Sequence, residues 1–274
     1  MEYTFEKVPA LSIAGMVFSL LVGVLMPVVL LLLWKKKSGA SLLSAVAGVG
    51  VFIGFVLILE GMVNRLVVAL TGEAITGNVW LYALYGGLAA GLFEETGRYL
   101  AMRFLMKKDL TRENAVMYGI GHGGIESILI LGTSMVSNLT MTAMLNTSGI
   151  DAVLQTVPEE MKGEFYNQIS ALWTTAPSAF FLAAAERISG MALHICLSYL
   201  VYRAVKDRRI LIFFLAILIH AAIDGVVVIL PGVGCPTWAV EIILALMTAA
   251  LAFFTVKAYR KEGETADKAA APEA

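Results

Sequence analysis

GLFEETGRYLAM, residues 91–102, places two adjacent carboxylates and an arginine at the end of a run, Ala74 to Phe93, that contains no charged side chain. An uncharged run of that length reads as a membrane-spanning helix. Each Asp, Lys or Arg at the centre of such a helix costs roughly 2.5–3.5 kcal/mol on the translocon scale. Glu94, Glu95 and Arg98 therefore require partners from elsewhere in the same chain.

The remaining sequence sets the same class. Of 274 residues, 59% are hydrophobic and 15% are charged, and the mean hydropathy is +0.81. That composition defines an integral membrane protein. A net charge of −1 offers no basic surface for a nucleic acid. Cys196 falls inside an apolar run and Cys235 in a short loop, which excludes a disulfide framework and a cysteine-rich zinc motif. Leu11 to Trp34 is too long for a signal-peptide core and has no A-x-A site, so it is expected to persist as the first span.

Seven apolar runs follow, at about 11–34, 41–64, 79–105, 114–137, 176–204, 210–230 and 237–257. Each is long enough for the hydrocarbon layer. The expected fold is all-α: one polytopic domain over 1–262 with a catalytic core at about 79–230, and a polar, disordered tail at 263–274. Lys35–Lys37, Lys107, Lys108, Arg112, Arg203, Lys206, Arg208, Arg209, Lys257, Arg260 and Lys261 occupy alternate connections. The positive-inside rule then puts the N terminus outside and the C terminus in the cytoplasm. The expected location, separate from that rule, is the plasma membrane of a bacterial cell. Residues 138–175 form one long outer connection, in which Pro158 precedes Met161, Phe165, Ile169 and Leu172 at helical spacing. A short surface helix that covers the bundle is expected there.

All three histidines lie inside spans: His122 on the fourth, His194 on the fifth and His220 on the sixth. Each lies about ten to twelve residues from the nearest inner cation, and Glu94 and Glu95 about twelve to thirteen, which is a depth of roughly 15–20 Å. Four helices thus carry their costly residues to one level. His122 and Glu126 are four apart, as are His220 and Asp224, so each pair shares a helix face. Arg98 can neutralise one of the two glutamates, and Glu186-Arg187 is a second opposite-charge pair. Gly87-x-x-x-Gly91 and Gly119-x-x-x-Gly123 permit close helix approach. These positions define a polar centre shared by spans three to six.

Three imidazoles with an open fourth position suit a catalytic Zn²⁺ site, in which the metal lowers the pKa of bound water toward about 7. His122, His194 and His220 are the candidate ligands, with Glu126 completing the set and Asp224 orienting a histidine. Glu94 or Glu95 is the candidate base. Arg98 serves either as partner to a carboxylate or as stabiliser of an oxyanion.

The set Glu94-Glu95-Thr96-Gly97-Arg98, His122-Gly123-Gly124-Ile125-Glu126, His194 after Glu186-Arg187, and His220-Ala221-Ala222-Ile223-Asp224 resembles the YhfC family of intramembrane metalloproteases. That family stands with the type II CAAX-processing and bacteriocin-processing proteases, the PrsW proteases and the Aph subunit of γ-secretase. The CAAX-type proteases have one more residue between the glutamates and the arginine, and usually Asn where Asp224 stands. PrsW has Lys in place of Arg98 and no histidine at the position of His122. The resemblance implies a glutamate-dependent peptidase acting on a membrane protein or membrane-bound peptide. It leaves the substrate, the oligomeric state and the identity of the metal open. An ion or metal transporter is the competing reading for intramembrane ionisable residues, but no inverted repeat with paired broken helices is found. A non-catalytic scaffold like the Aph subunit would be expected to lose the glutamate pair, which is intact here.

Overall fold

A computed structural model describes residues 3–270, and within them the secondary structure is entirely helical. The main helices are α1 (Ala10–Ser38), α2 (Leu42–Thr71), α3 (Val79–Leu100), α4 (Arg112–Leu154), α5 (Lys162–Thr174), α6 (Pro177–Lys206), α7 (Ile210–Gly232) and α8 (Thr237–Ala270). Local chemistry sets their ends. Asn78 accepts from the backbone of Trp80 and Leu81 to start α3, and Thr111 accepts from Asn114 to start α4. Pro177 opens α6 at a position where its missing N–H costs nothing. Gly39, at φ 69°, closes α1 in the left-handed region that favours glycine.

Six helices among the described residues are long and apolar enough to cross a membrane: α1, α2, α4, α6, α7 and α8 as far as Thr265. The third expected span exists as a helix of 22 residues. It is not one of those six, because Glu94, Glu95 and Arg98 fall within it and dilute its apolar character. α2 and α4 contain wider π-type stretches at Phe52–Glu60 and Ile128–Gly132, and another, Ala101–Leu105, follows α3 directly, a distortion often found beside functional sites.

The expected outer connection is shorter than the sequence reading places it. α4 continues through residues 138–148, because no helix breaker occurs before Gly149, whose φ of 77° kinks the chain. α5 forms where the surface helix is expected. It buries Ile169 and Leu172 against Val8, Leu145, Ile150 and Val153, and so covers one end of the bundle. Met161, expected on that buried face, is exposed. At the other end α8 remains helical through Ala270, past residue 263 where the polar tail is expected to begin, and residues 271–274 lie outside the described residues.

α4 is the centre of the bundle. Its GIGHGG stretch, residues 119–124, would weaken an isolated helix by roughly 1 kcal/mol per glycine relative to alanine. Here each glycine accepts a neighbouring helix, Gly119 and Gly121 its backbone, Gly123 the side chains of His194 and Met191, and Gly124 that of Pro27. A Cβ at Gly119 would stand 2.7 Å from Ile195 Cα on α6, and one at Gly121 would strike the Ala45 carbonyl of α2. Gly87 and Gly91 of α3 do the same against Ala221 and Ile217 of α7. Small residues draw these helices together where lipid supplies no hydrophobic drive.

The basic helix ends meet at one face. Trp34 Nε1 donates to the Glu113 carbonyl at 2.9 Å, Arg112 to the Tyr259 carbonyl at 2.8 Å, and Lys206 to Glu262 at 2.5 Å. Large apolar side chains such as Leu32, Leu211, Phe253 and Phe254 face outward. Buried polar groups lie within, the arrangement a bilayer demands.

Candidate metal and acid–base centre

The close α3–α7 and α4–α6 contacts bring Glu94, Glu95, Arg98, His122, His194 and His220 into one buried cluster. Glu94 Oε2 lies 2.9 Å from His122 Nε2, 3.6 Å from His194 Nδ1 and 4.0 Å from His220 Nε2. One carboxylate oxygen is thus surrounded by three imidazoles drawn from three helices. Glu95 points elsewhere. It accepts from Arg98 Nη1 at 2.7 and 2.8 Å and from His220 Nδ1 at 2.8 Å.

Arg98 is therefore the partner of Glu95, three residues before it, and not of Glu94. Its other terminal nitrogen stands 3.2 Å from His194 Nδ1. A guanidinium has only donors, so Nδ1 accepts and the proton of His194 sits on Nε2. Nε2 meets Glu126 Oε2. Glu126 thus turns away from His122, its neighbour one turn back, and toward His194 on α6. Its second oxygen accepts from Arg187 at 2.8 Å, and Arg187 also pairs with Glu186. Each imidazole in this way faces a glutamate: His122 with Glu94, His194 with Glu126, His220 with Glu95. Asp224 Oδ2 lies 3.5 Å from His220 Nε2, as the four-residue spacing predicts.

Sequence reasoning missed several supports. Phe52 meets His122 edge-on at 5.4 Å between ring centroids, and Tyr118 stacks on it at 6.0 Å. Glu60 on α2 accepts from Asn64 at 3.2 Å, and Asn64 in turn accepts from Tyr85. Only the four-residue step between Glu60 and Asn64 signals this set in the sequence.

Among the described residues, Glu94, His122 and His194 can each offer one donor atom with all three atoms within 4.8 Å of one another. Two imidazole nitrogens and a carboxylate oxygen are donors suited to a divalent transition metal. A cation there would replace the proton now shared by His122 Nε2 and Glu94 Oε2 and would displace Arg98 from the single lone pair of His194 Nδ1, while the outward Nε2–H of His194 already has a carboxylate partner in Glu126. The residues fit a metal ion. His220, the third expected ligand, is outside this tightest set; its Nδ1 meets Glu95 and its Nε2 lies 4.0 Å from Glu94 Oε2. A cavity of about 90 Å³ adjoins the cluster, lined in part by Glu94, His194, His220 and Asp224; Arg98 does not line it.

An all-helical membrane bundle with a buried centre of glutamates and histidines is the class of protein these features define. The chain belongs to the YhfC intramembrane metalloprotease family, whose match covers residues 22–244. It is 38% identical over 259 residues to the Bacillus subtilis (strain 168) protein named "Uncharacterized membrane protein YhfC", across 93% of this chain and 97% of that one. No solved structure matches it.

Proposed function

We propose that this protein is an intramembrane peptidase that hydrolyses a peptide bond in a membrane-bound polypeptide. The observation that carries the reading is the position of Glu94, whose Oε2 faces three imidazoles while its neighbour Glu95 is committed to Arg98 and His220. Membership of a family described as intramembrane metalloproteases supports it.

In this reading Glu94, His122 and His194 hold a metal ion, with zinc favoured by the nitrogen and oxygen donors. Such an ion would supply Lewis acidity toward a peptide carbonyl and a water. The protein's own residues perform the rest. Glu94 presents Oε2 to the imidazoles, which leaves Oε1 to accept a proton from a water in the adjoining cavity. Hydrolysis adds that water's O–H to the acyl carbon and breaks the C–N bond, and the other proton passes from the carboxylate to the departing amine. Glu95, Arg98 and Glu126 are positioning residues: Glu95 orients His220, Arg98 holds Glu95, and Glu126 holds the far side of His194. The cavity of about 90 Å³ has room for a few waters at about 30 Å³ each. We further propose that α3 completes seven spans, with the N terminus outside and the C terminus in the cytoplasm, as the distribution of Lys and Arg favours.

The test is to purify the protein in detergent, measure bound metal, and assay wild type and Glu94→Gln against a library of membrane peptides. Stoichiometric metal and cleavage that disappears in the variant would support the reading. Full cleavage by Glu94→Gln would refute it.

A further inference from the structure

The polar centre is sealed on one side and open on the other. Toward the basic face, one turn or so from the cluster on each helix, stand Met102 after α3, Tyr118 on α4, Leu197 and Tyr199 on α6 and Ala216 on α7, none more than 1% exposed. Beyond them, Glu262 of α8 accepts from Tyr199 at 2.9 Å and from Tyr202 at 2.6 Å, which ties α6 to α8 across that end. Among the described residues, larger cavities of about 810, 770 and 660 Å³ lie at the basic face, and no residue of the cluster lines any of them.

Toward the opposite face the exposures are different. The side chains of Glu126 and Arg187 are 14% and 16% exposed, and those of Glu186 and Asp224 34% and 36%. All four line the cavity that adjoins Glu94, with Gly190, Val227 and Leu244. On α6, Glu186, Arg187 and Gly190 precede His194, and on α7, Asp224 and Val227 follow His220, so in these antiparallel helices they all lie on the side remote from the basic loops. Ionisable groups at this depth are costly against lipid and are found facing protein or water. Their exposure marks a wet cleft.

From this asymmetry we infer that water and substrate reach the centre only from the face opposite the basic loops, through a cleft between α6, α7 and α8 whose polar wall is Glu186, Arg187 and Asp224. The substrate is then a membrane-bound polypeptide whose target bond lies in the half of the bilayer remote from the Lys-rich loops. This deepens the proposed peptidase reading and rests on it for the word substrate. The route of access itself depends only on the fold.

Cysteine accessibility tests the route without any cleavage assay. In a Cys196→Ser, Cys235→Ser background, Gly190→Cys and Val227→Cys place a thiol on the cleft wall, and Met102→Cys places one within the seal. A Cβ at Gly190 meets nothing nearer than Arg187 Cζ at 4.0 Å, so the first substitution is sterically admissible. Two further proteins, a Cys196→Ser variant that retains native Cys235 in the α7–α8 turn and Asp109→Cys, in a basic loop, in the cysteine-free background, calibrate the two faces of membrane vesicles toward a charged, membrane-impermeant methanethiosulfonate. Gly190→Cys and Val227→Cys are expected to be modified from the Cys235 face alone, and Met102→Cys from neither. Modification of the cleft thiols from the Asp109 face, or from neither face while Cys235 reacts normally, would overturn the inference. A protein that cleaves nothing yet labels from the Cys235 face would retain the route and lose the peptidase reading.

Discussion

Glu94 and Glu95 are adjacent in the chain and share only His220, at opposite nitrogens: Glu94 Oε2 faces His122, His194 and His220 Nε2, whereas Glu95 is held by Arg98 and His220 Nδ1. A helix turns by about 100° per residue, so neighbouring side chains leave it in different directions. Two identical carboxylates therefore acquire different work.

The two should separate in stability. Glu95→Gln leaves the Arg98 guanidinium buried without its anion, and breaking a buried pair in this way costs about 3–5 kcal/mol. Glu94→Gln keeps a polar group against the imidazoles and should change the thermal midpoint much less. Melting curves of both purified variants check the order.

Metal removal should act through the same cluster. Dialysis against a chelator is expected to lower the thermal midpoint and readdition of Zn²⁺ to restore it, because a ligand bound only by the folded state stabilises it. His122→Ala and His194→Ala should lose stoichiometric metal on elemental analysis. Tyr82→Phe, on an exposed surface of α3, should retain it.

Arg187 is hydrogen-bonded to Glu126, which meets His194. Arg187→Met should weaken metal affinity by about 10–100-fold, the usual cost of removing an outer partner, with Arg187→Lys intermediate. Competition against a chelating dye measures the affinities. Unchanged values in both variants would disconnect Arg187 from the centre.

Two adjacent glycines offer a packing test. A Cβ at Gly86 meets nothing within 4 Å, whereas one at Gly87 strikes the Ala221 carbonyl of α7. Gly86→Ala should stabilise the protein by about 0.5–1 kcal/mol through helix propensity. Gly87→Ala should destabilise it and loosen the α3–α7 contact that carries Glu95 to His220. Thermal midpoints with opposite signs are the expected result.

The amphipathic logic of a membrane chain made much of this legible in the sequence. Long apolar runs can satisfy their backbone in lipid only as helices, and charged groups inside such runs must find one another. That reasoning reached the all-helical class and marked Glu94, Glu95, Arg98 and the three histidines as members of one centre. It also recognised Gly87, Gly91, Gly119 and Gly123 as close contacts. Which partner each group takes was decided by the tertiary structure alone. Arg98 pairs with Glu95 and not Glu94, and Glu126 serves His194 and not His122, because helix rotation and crossing set those contacts and sequence spacing reports only neighbours on one helix. The continuation of α4 to Leu154, the seal at Tyr118 and Tyr199, and the cleft beside Asp224 likewise depend on how far each helix slides along the next. A hydrophobic pattern constrains that slide weakly, since any apolar face is equally content against lipid or protein.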